Sequence, residues 1–170
     1  MKTIKLICCL FVFGIAFEAF AQETPVEKLS EVVIVATNYK YLNEVDNTES
    51  AINVRMLQHK LASFDLKNSD FYDDDYDEYI VSFYIPEGHI LAAYDKDGKI
   101  IRTAERYKNI KTIPNVMKSI AATYPGWTIS KNIYKVTYHT DNGSKMIYKF
   151  KLEKNGNTIR VKTDEIGNFL

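Results

Sequence analysis

Two stretches of this chain alternate apolar and polar residues at the period of a β-strand and are punctuated by the same kind of turn. Tyr79-Ile-Val-Ser-Phe-Tyr-Ile85, a turn at Glu87-Gly88, His89-Ile-Leu-Ala-Ala-Tyr94 and a turn at Asp97-Gly98 form the first series, which runs on to Tyr107. The second is Tyr134-Lys-Val-Thr-Tyr-His139, a turn at Asn142-Gly143, Lys145 to Leu152, a turn at Asn155-Gly156, and a last strand carrying Ile159 and Val161 to Thr163. Met146, Tyr148, Phe150 and Leu152 alternate with Lys145, Lys149, Lys151 and Glu153, with Ile147 the exception, so the sheet is expected to have one wet and one buried face.

Each series follows a segment whose apolar residues recur at helical spacing. Val54, Leu57, Leu61 and Phe64 predict a helix over Val54–Phe64 with Asn53 as its cap. Pro114 opens a second helix, because its fixed φ and missing N–H suit the first turn. Val116, Met117, Ile120, Ala121 and Tyr124 line its apolar face, and Pro125-Gly126 ends it. The fold class is therefore α+β: two tandem repeats of one helix and a three-stranded antiparallel meander, at 50–112 and 113–170, with the helices on one sheet face. Tyr84 maps onto Tyr138 in this repeat and Gly98 onto Gly156.

Ahead of the repeats, Met1 to Ala21 has the layout of a secretory signal peptide. Lys2 and Lys5 charge its start, Leu6 to Phe17 is apolar, and Ala19-Phe-Ala21 offers the small-residue cleavage site. The apolar run is shorter than the roughly 20 residues of a membrane-spanning helix. Residues 22–49 read as a polar lead followed by Glu31-Val-Val-Ile-Val-Ala36, a β-branched strand. Leu29-Ser-Glu-Val-Val-Ile34 within it resembles the TonB-contacting box of outer-membrane receptors, over about six residues that also suit an ordinary strand. The exported chain is expected in the periplasm or outside the cell, with no transmembrane segment after cleavage.

Charge and cysteine content narrow the chemistry. Cleavage would remove two of 22 basic and one of 22 acidic residues, leaving a net charge of −1, which predicts neither a nucleic-acid partner nor a broad attraction to anionic lipid. Cys8 and Cys9, the only cysteines, lie in the leader, so no disulfide, thiol nucleophile or cysteine metal site is expected. His59, His89 and His139 fall in different elements without ligand spacing, although His89 and His139 sit on related hairpins. No serine lies in a Gly-x-Ser-x-Gly turn, and the glycines outside the leader mark turns and helix ends rather than a phosphate loop. No catalytic residue, metal site or cofactor is predicted.

The segment from Asp70 to Tyr79 is where the sequence points for function. Tyr72, Asp73, Asp74, Asp75, Tyr76 and Asp77 combine closely spaced carboxylates, which resist burial, with tyrosines that make large, rigid contacts. Such a loop suits a partner protein with a basic surface. Asp73, Asp75 and Asp77 alternate as oxygen ligands do, but an EF-hand needs Gly at its sixth position and Glu at its twelfth. Glu78 and Tyr84 stand there, so only weak calcium binding is left open. Lys145, Lys149 and Lys151 form a basic strand face that can meet an acidic ligand or guard an edge from aggregation. Tyr94, Tyr138 and Tyr148 are expected half-buried, with wet hydroxyls.

Tyr124-Pro-Gly-Trp127, Tyr134-Lys-Val-Thr-Tyr138, the lysine-rich strand to Leu152 and the closing Val161-Lys-Thr-Asp-Glu-Ile-Gly-Asn-Phe-Leu170 resemble the PepSY-like family of secreted Bacteroidetes proteins, related in fold to the β-lactamase inhibitor protein. The resemblance covers most of Val54 to Leu170 and rests on turns and core positions. It implies a non-enzymatic periplasmic or cell-surface protein that binds or inhibits other proteins, and brings no catalytic residues. A nicotinate-nucleotide adenylyltransferase would need His-x-Gly-His at the head of a helix, where this chain has Pro86-Glu-Gly-His89 between two strands. The alternatives are a secreted enzyme whose site converges from distant residues, or a structural envelope module.

Overall fold

The computed structural model describes residues 37–170; the leader and the Glu31–Ala36 strand read from the sequence lie outside the described residues. Helices α1 (Tyr39–Val45) and α2 (Ile52–Ala62) precede strands β1 (Glu78–Ile85), β2 (Gly88–Asp95) and β3 (Ile100–Lys108). Helix α3 (Pro114–Thr123) then leads to β4 (Thr128–His139), β5 (Gly143–Lys154) and β6 (Asn157–Asp164). The strands form one antiparallel sheet in the order β1-β2-β3-β4-β5-β6, so every strand pairs with its neighbour in sequence. The fold is α+β.

Register and burial divide the sheet into two faces. Phe83, Ile90, Glu105, Val136 and Met146 stand opposite one another in one row, and Tyr107, Tyr134, Tyr148 and Thr163 in another; all are buried. Tyr41, Leu42 and Val45 of α1 and Val54, Leu57 and Leu61 of α2 join these rows in one hydrophobic cluster, as do Val116 and Ile120 of α3. Because side chains alternate along a strand, the residues between them form a second face that the core does not cover. Bulges at Ala93/Tyr94 and Ile129/Lys131 keep the alternation in phase through the hairpin ends.

Several local expectations change. Helix α2 starts at Ile52 with Ala51 at the N-cap, and Asn53 lies inside the helix, its side chain bonded to the Val54 N–H at 3.0 Å. On α3 only Val116 and Ile120 are buried, while Met117 and Ala121 are exposed, because the short helix meets the core along a narrow stripe. Tyr94, Tyr138 and Tyr148 are almost fully buried rather than half wet. The hydroxyls of Tyr94 and Tyr138 can be taken inside because partners wait there: Tyr94 donates to the Leu61 carbonyl at 2.8 Å, and Tyr138 meets the Thr140 hydroxyl at 3.3 Å. Tyr84 and Tyr138, equated by the sequence repeat, point to opposite faces, Tyr84 being 71% exposed and Tyr138 buried. Gly98 and Gly156 do correspond in conformation, with φ of 78° and 81° at the β2–β3 and β5–β6 turns.

Helix α1 is an element the periodicity did not announce. It is held where it is by Asn38, whose amide donates to the carbonyls of Ala62 and Gly98, both at 3.2 Å, and accepts from the Ile100 N–H at 2.8 Å. One buried side chain thus ties α1, the end of α2 and the β2–β3 hairpin together.

Candidate functional site

The loop before β1 is exposed yet firmly anchored. Tyr79, the second residue of β1, faces the helix-bearing side and is buried. Its hydroxyl donates to the Asp73 carbonyl and accepts from the Asp73 N–H at 3.0 Å. The Tyr72 ring stacks on Tyr79 at 5.4 Å between centroids and donates its hydroxyl to the Lys96 carbonyl at 3.2 Å. Tyr76 meets Tyr79 edge-on at 6.2 Å, and Phe71 stacks on Phe64 below α2 at 6.2 Å. These contacts fix the loop's path with aromatic rings, each pair adding a modest stabilisation to the area it covers.

The acidic side chains point outward from this frame. Asp73, Asp74, Asp75 and Asp77 are exposed, and Tyr76 keeps 60% of its surface in solvent. Asp73 also turns the chain locally, accepting from the Asp75 N–H at 3.0 Å through its carboxylate and from the Tyr76 N–H at 3.2 Å through its carbonyl. One carboxylate oxygen from each of Asp73, Asp74 and Asp75 lies within 4.8 Å of the others, and those three residues are the ones that could share a cation. Asp77 stands outside that triplet. The six residues singled out from sequence are consecutive and lie on this one loop, Tyr72 as a support and the other five exposed. Glu78 is spoken for by a two-pronged bond to Arg102.

The histidines stay apart. His59 Nε2 lies 3.2 Å from Asp46, His89 packs beside Tyr84 on the outer face, and His139 sits 3.7 Å from Asp141. His89 faces Arg106, whereas His139 faces Arg102, so the related hairpins do not bring the two rings together.

One titratable group escaped the sequence reading. Glu105 is only 2% exposed, inside the core, and forms no ion pair with a Lys, Arg or His among the described residues. Its Oε1 accepts from the Tyr41 hydroxyl at 2.7 Å and from Thr103 at 3.3 Å; its Oε2 accepts from the Tyr107 hydroxyl at 2.7 Å and from Gln58 Nε2 at 2.9 Å. Burial pushes the carboxyl above its ordinary range, and the four donors oppose that rise. The same burial, reinforced by the nearby carboxylate, raises the Tyr41 and Tyr107 hydroxyls, so both stay protonated donors. The signal for Glu105 was parity: it sits two residues from Thr103 and from Tyr107 and must share their face. Its donors come from α1, α2 and β3, which makes it a joint between helices and sheet.

No helix among the described residues is long and apolar enough to cross a membrane. The chain matches no protein-family model and no curated protein.

Proposed function

We propose that this chain is an exported, non-enzymatic PepSY-like protein, built of two tandem helix-and-meander repeats, that acts by binding another protein through the Tyr72–Asp77 loop. Export rests on the leader pattern of Met1 to Ala21. The repeat is supported by the element order, in which α2 precedes β1-β2-β3 and α3 precedes β4-β5-β6, and by the matching glycine turns at Gly98 and Gly156. The opposite facing of Tyr84 and Tyr138 moves the equivalence by one residue, since a one-residue offset in a strand reverses its faces.

The observation that carries the binding reading is the pinning of the Asp70–Glu78 loop by Tyr79. A loop held in place gives up less entropy on binding than a free one, and its aspartates and Tyr76 are already turned to solvent. Carboxylates steer a basic partner while the tyrosine supplies contact area. The test is a pull-down from envelope extract, comparing the protein with a variant carrying Asp73, Asp74, Asp75 and Asp77 changed to Asn. Capture by the first and loss by the second is the expected result; the same partner on both refutes loop recognition.

The close approach of the Asp73, Asp74 and Asp75 oxygens supports a second reading, weak calcium binding by the loop. Running the capture with calcium and with a chelator separates them: a metal site predicts that chelation changes the loop's contacts, direct charge recognition that it does not.

A further inference from the structure

The balanced total charge conceals a segregation that the fold creates. On the outer face, Lys131, Lys151 and Arg160 stand directly opposite one another across β4, β5 and β6, and Lys149 faces Lys162 in the next row. Lys135 extends the patch along β4. Among the described residues only Lys151 of these has an ion-pair partner, Glu153. Like charges placed directly across strands repel, and Glu153 and Asp164 on the same face offset only part of this cluster of cations.

Toward β1 and β2 the same face carries exposed apolar side chains among polar ones, which include His89, Arg106 and the Arg102–Glu78 pair. Ile80 is 62% exposed and Tyr84 71%, and Leu91 lies beside them on β2. The acidic loop lies away from this surface, because its anchors, Tyr72 and Tyr79, pack on the helix-bearing side. The outer face is thus richest in cations along β4–β6 and carries three exposed apolar side chains at its β1–β2 end, while Asp73, Asp74 and Asp75 belong to a loop anchored on the other side. A molecule so divided, though near neutral overall, turns a definite face to a charged plane.

We propose that the outer sheet face seats this protein on an anionic lipid surface, with the β4–β6 cations against the headgroups and Ile80, Tyr84 and Leu91 in the interfacial layer. Charge complementarity selects an anionic surface, and the broad two-part face suits a plane better than a single chain. Anionic headgroups attract basic residues lying within a Debye length, and exposed apolar side chains add to the hold. Seated this way, the protein presents the Asp70–Asp77 part of the loop away from the bilayer. The proposal does not depend on what that loop binds.

Co-sedimentation with vesicles tests it, using protein purified after export with removal of its leader verified by mass. The expected result is binding to phosphatidylcholine vesicles containing phosphatidylglycerol, none to phosphatidylcholine alone, and release by salt. A Lys131→Gln, Lys149→Gln, Lys162→Gln variant should bind about a hundredfold more weakly, at about fivefold per cation. The variant should unfold no more readily than the parent, since it relieves repulsion on an exposed face. A second variant, Ile80→Ser with Leu91→Ser, should weaken binding several-fold while leaving its salt dependence unchanged. Failure to bind the anionic vesicles at low salt overturns the proposal, as does binding that the lysine variant leaves intact. Soluble polyglutamate binding more tightly than the vesicles, and lost in the lysine variant, would replace the lipid surface with an acidic polymer.

Discussion

Replacing Glu105 with Leu, a residue of similar size, tests how the helices are joined to the sheet. The change removes three short bonds, from Tyr41, Tyr107 and Gln58, and a longer one from Thr103. Each buried donor left unpaired by the loss of its acceptor costs about 1–3 kcal/mol. Against this, leucine removes the several kcal/mol needed to desolvate a carboxylate. The balance is a loss of about 3 kcal/mol, a large part of the roughly 5–15 kcal/mol of a typical domain. Urea unfolding followed by CD and by Trp127, the single tryptophan, measures it. Adding Tyr41→Phe, Gln58→Leu and Tyr107→Phe removes the donors together with the acceptor and should recover at least half the loss. Burial raises the folded carboxyl above its ordinary 4.5, so the folded state holds the extra proton as pH climbs past that value. The group's contribution is therefore complete below about pH 4.5 and declines as pH rises through the folded value, a slope the leucine variant lacks. A single variant as stable as the parent, or a quadruple variant no better than the single, refutes the reasoning.

Two further predictions concern the joints around the core and loop. Asp46 accepts from Arg55 Nε at 2.8 Å and lies 3.2 Å from His59, which ties the end of α1 to α2. The Arg55 bond, chiefly, holds its carboxyl below the ordinary 3.8. The stability it lends is present above that value and lost as pH falls through the folded one. Asp46→Asn should give a small loss at neutral pH, as surface pairs do, and a flatter acid limb in denaturation monitored by CD. Tyr79→Phe removes both bonds to Asp73 and should cost about 0.5–1.5 kcal/mol, with faster amide exchange at Asp73 and Tyr76 while β2 and β3 keep their protection.

The readable parts of this fold were those set by local rules. In β5 the alternation of Met146, Tyr148, Phe150 and Leu152 with charged residues marked its buried face, and the glycine turns at Gly98 and Gly156 marked the hairpins. Helix α1 was not readable, because Tyr39–Val45 spans only seven residues and Asn38 spends its side chain on distant carbonyls instead of capping. Nor was the joint at Glu105, whose donors Tyr41 and Gln58 lie 64 and 47 residues away along the chain. The acidic loop announced itself through composition, but its anchoring by Tyr79 depends on a ring that the strand turns inward. The basic face was visible only in part, as Lys145, Lys149 and Lys151 alternating along one strand. Register set Lys131, Lys151 and Arg160 side by side, a fact that total charge averages away.

The most direct test of binding through the loop is site-specific photo-crosslinking in the native host, with a benzophenone side chain in place of Tyr76 and, as a control, in place of exposed Lys118 on α3. Adducts with one discrete protein from position 76, and none from 118, are predicted. No adduct from 76, or the same adducts from both positions, would contradict it.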